Sequence, residues 1–142
     1  MMTRHNDWPG LLEAFIASQL HRHFLWGLHD CCLFACNAVL VMTGEDLARG
    51  YRDTYYTAKD AMKAMHAFGA STVGELADVM ADRYGIRVIP PSFAGRGDVM
   101  LLHRELGESL GIVALSGMDI WAPGEEGLAQ IPIGAGIRAW RI

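Results

Sequence analysis

Three cysteines lie close together in the segment WGLHDCCLFACNAVL, residues 26–40. Cys31 directly follows Asp30, a residue type that caps helices, and an apolar run follows. We therefore predict that Cys31 occupies the first turn of a helix. Free backbone N–H groups and the positive end of the helix dipole stabilise a thiolate there and lower its pKa. Cys31 is the candidate nucleophile of the chain.

The two other cysteines of this segment have simpler interpretations. Cys32 and Cys36 are four residues apart and share a helix face with apolar residues, so we predict that they pack in the core. A metal site that also includes His29 is an alternative, but the CC-x3-C spacing matches no common zinc pattern, and iron–sulfur clusters usually need four cysteines. A cluster shared with a partner chain stays open. A disulfide between neighbouring cysteines is strained, so all three are treated as thiols, and no metal or cofactor is predicted.

Helices are predicted in the first part of the chain and strands in the second. The predicted helices cover about residues 7–20, 30–43, 57–69 and 72–85. Their expected N-caps are Asp7, Asp30, Thr57 and Thr72. The predicted strands cover residues 86–89, 97–104, 109–115, 118–122, 127–133 and 137–142, with a tight turn at Ser116-Gly117. Helices followed by closely linked strands indicate an α+β fold with an antiparallel meander, and the C-terminal AWRI is expected to dock on the body.

Composition limits the class of protein. The 142 residues are enough for one domain, expected to span residues 1–142, and 51% hydrophobic content indicates a packed core. The net charge of -4 and the lack of a basic run argue against nucleic-acid binding. The apolar stretches are too short for a membrane span, and the polar N-terminus does not resemble a signal peptide. We expect a protein kept in the cytosol or carried on a larger particle.

The ordered set of motifs resembles the NlpC-type cysteine peptidases, papain-like enzymes that cut peptidoglycan stem peptides. Trp26-Gly27 and Asp30-Cys31 match their nucleophile segment, GDVMLL at 97–102 resembles their Gly-Asp strand, and LGIVALSGMDIWA at 110–122 resembles the next hairpin. The resemblance covers about residues 20–125. It implies a papain-like NlpC-type domain in which N-terminal helices, one with a cysteine at its start, pack on a C-terminal antiparallel sheet.

The catalytic partners expected from this resemblance are missing. The base histidine of the family would fall at Ser109, and the third polar residue would fall at Trp121. Serine cannot act as the base near neutral pH, and tryptophan only donates a hydrogen bond. His103 is a candidate relocated base if it lies opposite Ser109 in a hairpin, because directly opposed residues share a face. His29, two residues before Cys31, is a second candidate.

A narrower resemblance concerns small NlpC-like proteins of bacteriophage and prophage tails. They share the pattern Trp-Gly-x-x-Asp-Cys, a Leu-Gly-Ile strand and a C-terminal Ala-Trp-Arg, which WGLHDC, SLGIVAL and AWRI match. This resemblance implies a tail-tip or tail-assembly component of the virion, made in the host cytoplasm, with a degenerate peptidase fold that docks to tail hub and tip proteins. One alternative is an active peptidase that cuts peptidoglycan stems through Cys31 with a relocated histidine. Another is a thiol-dependent acyl-transfer or toxin-like enzyme of the same fold.

Three further features carry weaker predictions. Methionines at 62, 65 and 80 have helical core spacing and are expected to fill the core. Tyrosines at 51, 55 and 56 are expected either to rim the cysteine cleft or to pack normally. The glycine-rich segment PGEEGLAQIPIGAGI, residues 123–137, is expected to form a solvated turn with an exposed strand or to dock on a neighbouring subunit.

Overall fold

Four helices precede a six-stranded antiparallel sheet. A computed structural model of the chain describes residues 2–105 and 107–142. The helices are α1 (Trp8–Gln19), α2 (Cys31–Thr43), α3 (Ala58–Ala67) and α4 (Val73–Tyr84). The strands are β1 (Arg87–Ile89), β2 (Val99–Arg104), β3 (Gly107–Val113), β4 (Asp119–Gly124), β5 (Gly127–Pro132) and β6 (Gly136–Arg141), with short 3-10 turns at Pro91–Phe93 and Ile133–Ala135. The predicted α+β class is confirmed.

Side-chain caps define the starts of three helices. Asp30, Thr57 and Thr72 each accept a hydrogen bond from the backbone N–H three residues further on. These bonds satisfy N–H groups that have no partner inside the helix. Asp7 occupies the N-cap position of α1, as predicted, and its carbonyl accepts the N–H of Leu11. Its side chain makes no capping bond, and Pro9 in the first turn has no N–H to satisfy.

The strand order is β1-β6-β2-β3-β4-β5, and every neighbouring pair is antiparallel. The predicted meander is present from β2 to β5, including the tight turn in which Gly117 N–H bonds the carbonyl of Ala114. The chain then returns across the sheet, and β6 inserts between β1 and β2. This step places Trp140 at 2% exposure in the core, as expected for the C-terminal AWRI segment.

The two faces of the sheet belong to different apolar clusters. Side chains of Val99, Leu101, Leu110 and Ile112 join the main core with α2 and α4. The alternate residues Met100, Leu102 and Val113 join Ile120 in a smaller cluster on the other face. Since side chains alternate along a strand, this division fixes which β3 residues can face the helices. The main core therefore holds the start of α2 against β3.

Asp98 connects the chain ends to the sheet. Its buried carboxylate accepts hydrogen bonds from the side chains of Arg4 and Arg141 and from the backbone N–H groups of Gly95 and Ile142. Asp98 is 1% exposed, whereas both arginines keep contact with solvent. The Gly-Asp pair before β2 thus has a structural role in this chain.

Met80 is buried and Met65 half-buried, but the prediction for Met62 is wrong. Met62 is 53% exposed, because α3 lies on the outside of the bundle and none of its residues is buried. No helix within residues 2–105 and 107–142 combines the length and apolar character that crossing a membrane requires.

Candidate active site

Asp30 organises the turn before α2. Its Oδ1 accepts the N–H of Leu33, which caps the helix, and its Oδ2 accepts the N–H of Gly27 at 3.0 Å and the hydroxyl of Tyr55 at 2.6 Å. Asp30 is 2% exposed, so these three donors replace the water that a carboxylate would otherwise bind. These bonds hold the backbone of residues 26–30 in one conformation at the start of α2.

Gly27 is required by this turn. Its φ of +79° lies in the left-handed region, and a Cβ there would stand 1.9 Å from the carbonyl oxygen of Tyr55. Any other residue would push the connection that carries Tyr55 away from the start of α2. Gly27 and Asp30, two of the residues that resemble the peptidase motif, therefore have roles in packing and backbone geometry.

The thiol of Cys31 lies in the first turn of α2, as predicted. Its pKa is lowered below the usual value, chiefly by a hydrogen bond from the Cys32 thiol, with smaller contributions from the N–H of Leu110 and the hydroxyl of Ser109. Burial and the Asp30 carboxylate act in the opposite direction. The negative charge on sulfur is thus stabilised by local donors.

The remaining cysteines differ from Cys31. The pKa of Cys32 is raised well above its ordinary value, because its thiol donates to Cys31 and is itself buried. Cys36 is 7% exposed, its Sγ lies 3.2 Å from the hydroxyl of Tyr51, and burial raises its pKa to about 12. The prediction of core packing is confirmed for Cys36. Cys32 packs partly against the same core and also reaches the cavity described next.

A cavity of about 880 Å³ opens at Cys31, and we call it the Cys31 cavity. It runs from the start of α2, between α3 and the sheet, to the connections that follow β2 and β4. Ligand pockets span roughly 300–1,000 Å³, so this cavity is at the large end of that range. Its wall includes Tyr51 and Tyr55, whereas Tyr56 is exposed outside it. Two of the three tyrosines therefore line the cysteine cleft.

The two family positions that lack histidine are separated in the structure. Ser109 lines the Cys31 cavity, is 8% exposed, and its hydroxyl contributes to the lowered pKa of the Cys31 thiol. Trp121, on β4, pairs with Ile112 of β3. It packs against the main core and does not line the cavity. The structure thus places a hydroxyl beside the thiol and leaves the indole outside the site.

The predicted register that would bring His103 to Ser109 is wrong by one residue. Leu102 pairs with Ser109, and His103 pairs with Glu108. Arg104 pairs with Gly107, which sets this register, so His103 lies opposite Glu108 and not opposite Ser109. His103 is exposed and does not line the Cys31 cavity.

His29 is also apart from the cavity. It is 1% exposed, stacks edge-on against Phe34 at 5.9 Å between ring centroids, and its Nε2 has no hydrogen-bond partner. Burial lowers its pKa, with a further contribution from Arg22, so the ring is neutral near pH 7. Among the residues that the structure describes, no histidine lines the Cys31 cavity.

Metal chemistry has no visible site in the described part of the chain, where no three His, Cys, Asp or Glu side chains are grouped to hold an ion. The sequence interpretation also missed two features. It did not identify the bond from Tyr55 to Asp30, which joins residues 25 positions apart, or the glutamates 105, 108 and 125 in the cavity wall. In the sequence, only the cluster of tyrosines pointed to the first feature, and only the pair Glu125-Glu126 pointed to the second.

The groups around Cys31 determine which proton transfers could accompany attack by the thiolate. A thiolate that attacks an amide needs a group to protonate the departing amine. The three donors that act on the Cys31 thiol are a thiol, a hydroxyl and an amide N–H, none of which is a proton carrier near pH 7, and the fourth neighbouring group is the Asp30 carboxylate. Among the described residues, the cavity wall therefore brings carboxylates but no imidazole to the thiol.

Comparison with known proteins agrees with this architecture. The crystal structure of the NlpC/p60 domain of the peptidoglycan hydrolase SagA superposes with a TM-score of 0.55 at 19% identity, covering 94% of this chain and 98% of that chain. At this identity the similarity shows the fold alone, and it confirms the predicted NlpC-like, papain-like fold. No curated protein matches the sequence significantly.

The family model of a domain of unknown function, DUF6950, matches residues 3–142, almost the whole chain. On that match the chain belongs to the DUF6950 family, and its own fold is an NlpC/p60-like α+β fold.

Proposed function

We propose that this protein is a docking component of a bacteriophage or prophage tail and that its NlpC/p60-like domain has no peptidase activity. Its partners are the hub and tip proteins of the tail, and it is located in the virion. The tail assignment depends on the sequence resemblance in WGLHDC, SLGIVAL and AWRI. The absence of peptidase activity depends on the chemistry of the site.

The observation that carries the proposal is the hydroxyl of Ser109 beside the thiol of Cys31, where a peptidase needs an imidazole. The two histidines that the sequence analysis offers as relocated bases are placed unfavourably. His103 is exposed outside the cavity, and His29 is buried against Phe34. The motif residues Gly27, Asp30 and Asp98 are explained by their structural contacts and need no catalytic role.

An exposed apolar surface next to the cavity supports docking. The four residues of this apolar rim are Leu25, Trp26, Leu28 and Tyr56, and each is between 39% and 56% exposed. Trp26 also lines the Cys31 cavity, and the ring of Tyr56 lies against Gly27. Contiguous exposed apolar side chains of this kind mark protein interaction sites more often than single ones do.

The first test measures peptide cleavage. The wild-type protein and Cys31→Ala are incubated with purified peptidoglycan and with synthetic stem peptides, and released amines are quantified by mass spectrometry. We expect no release that depends on Cys31. Cleavage that disappears in Cys31→Ala would refute the inactive assignment.

The second test addresses the tail. The chain is co-expressed with the hub and tip proteins encoded beside it, and complexes are identified after affinity purification. We expect a stoichiometric complex with a hub or tip protein. Purification of the chain without either protein, or neighbouring genes that encode no tail, would refute the tail assignment.

A thiol-dependent hydrolase that cuts peptidoglycan stems is the second candidate, and the lowered pKa of Cys31 favours it. Its test is the rate of Cys31 alkylation by iodoacetamide across pH, with and without His103→Ala. A relocated base predicts that this substitution raises the apparent pKa of the reaction. On the docking proposal the two profiles coincide.

A further inference from the structure

We infer that the Cys31 cavity binds an extended segment of a partner protein in which a bulky apolar side chain is flanked by Lys or Arg. This inference deepens the proposed docking function and rests on it for the source of the segment. It concerns the cavity and its mouth and does not depend on reaction at the thiol.

The inner wall of the cavity fits an apolar anchor. Its side chains on the helix side are largely aromatic or aliphatic, namely Phe24, Trp26, Tyr51, Ala61, Ala64, Met65, Phe68, Val73 and Leu76. Interface energy is concentrated where one large side chain enters such a pocket and loses its contact with water. A volume of about 880 Å³ holds several residues, so the fitting ligand is a segment and not one side chain.

The apolar rim extends this wall to the surface. Leu25 and Leu28 are exposed on either side of the tight turn at Gly27, and Trp26 connects that turn to the cavity. An extended segment that leaves the cavity on this side stays in contact with apolar surface. The continuous surface favours a protein segment over a small compact ligand.

The opposite side of the mouth is acidic. The connections after β2 and β4 lie at the same end of the meander and carry Glu105 and Glu125, and Glu108 lies at the start of β3. Arg104 is the one basic residue in the described wall, and its guanidinium donates to the carbonyl of Pro123 at 2.7 Å. Glu108 accepts the N–H of Gly74 at 2.9 Å, so both it and Arg104 are already bonded to backbone groups. The exposed Glu105 and Glu125 therefore supply most of the negative charge that a ligand meets at the mouth.

The acidic mouth favours a ligand that carries positive charge. Lysine or arginine beside the apolar anchor would meet opposite charges at the mouth, which accelerates association and excludes wrong partners. An anionic ligand, such as a fatty acid or a nucleotide, would meet like charges. The apolar wall supplies affinity, and the glutamates supply the preference for a basic segment.

The test uses fluorescein-labelled short peptides and fluorescence anisotropy at low salt. The probe has a central Trp flanked by Lys; its controls have Glu in place of Lys, or Ala in place of Trp. We expect the probe to bind about tenfold tighter than either control, with affinity that falls as salt rises. Equal binding of the three peptides, or no binding, would overturn the inference.

Matched variants locate the binding. Glu125→Lys changes the mouth, whereas Glu126→Lys changes a neighbouring exposed carboxylate that does not line the cavity. Ala64→Trp fills the cavity from α3, and Ala67→Trp places the same side chain on the outer face of α3. We expect only the first member of each pair to weaken probe binding about tenfold. If Ala64→Trp does not fold, the two surface glutamate variants still decide the question.

The same variants separate this inference from the tail proposal. If a hub protein co-purifies equally with wild type, Ala64→Trp and Glu125→Lys, docking stands and the cavity assignment fails. If the peptide preference is observed but no hub or tip protein co-purifies, the cavity assignment stands and the tail assignment fails.

Discussion

Two buried aspartates stand in the two segments that resemble a peptidase, and they act differently. Asp30 accepts only neutral donors, two backbone N–H groups and the Tyr55 hydroxyl, and shapes the start of α2. Asp98 accepts two arginines and two backbone N–H groups, and ties both chain ends to β2. Each motif is thus explained by folding. Both motifs therefore serve the fold independently of any chemistry at the thiol.

The largest expected effect is at Asp98. Asp98→Ala leaves two guanidinium groups and two N–H groups without their acceptor, so we expect a loss of about 3 kcal/mol or more in the free energy of unfolding. Urea denaturation measures this loss. The exposed Asp82→Ala on α4 is the control and should change stability by less than about 0.5 kcal/mol. An equal, small effect in both variants would contradict the role given to Asp98.

Asp30→Ala should destabilise somewhat less, because its lost partners are neutral. Loss of an N-cap costs about 1 kcal/mol, and unsatisfied buried donors add about 1–3 kcal/mol. Tyr55→Phe removes one of the three bonds and should cost about 1 kcal/mol. The stabilities of the two variants are compared by thermal unfolding, followed by near-UV circular dichroism. If Tyr55→Phe cost as much as Asp30→Ala, the cap and the Gly27 contact would contribute nothing.

Ser109→His tests whether an imidazole at this position changes the reactivity of the Cys31 thiol. An imidazolium beside Cys31 should stabilise the thiolate and raise the alkylation rate near pH 6–7 by at most about tenfold for each unit by which the Cys31 pKa falls. Ser116→His places the same ring in the exposed turn between β3 and β4 and should leave the rate unchanged. Indistinguishable rates in the two variants would mean that position 109 does not reach the thiol.

The smallest effect concerns pH. Burial lowers the pKa of His29, so the unfolded chain takes up a proton at higher pH than the folded one. Stability is therefore fully present above the unfolded pKa of about 6.5 and is lost as pH falls through the folded pKa. His29→Met should reduce this acid-side loss, because methionine takes up no proton in either state. His66 is exposed on α3, and His66→Met should retain the loss of stability at acid pH. Identical pH profiles for wild type, His29→Met and His66→Met would count against a buried neutral ring at His29.

The sequence by itself determined the local structure. Asp30, Thr57 and Thr72 cap their helices because each side chain bonds an N–H only three residues away. Strand positions followed from alternation and turn residues, and the α+β class followed from the order of elements. The thiol at the start of α2 was predictable for the same reason, since Cys31 needs only Asp30 before it and an apolar helix after it.

The tertiary structure decided the rest. The insertion of β6 between β1 and β2 and the pairing of His103 with Glu108 depend on which strands meet and in what register. A one-residue register change reverses a side chain's face, so the surroundings of the Cys31 thiol could not be derived from spacing along the chain. The cavity likewise arises where α2, α3 and the sheet converge, and packing between distant segments determines its volume and its acidic mouth.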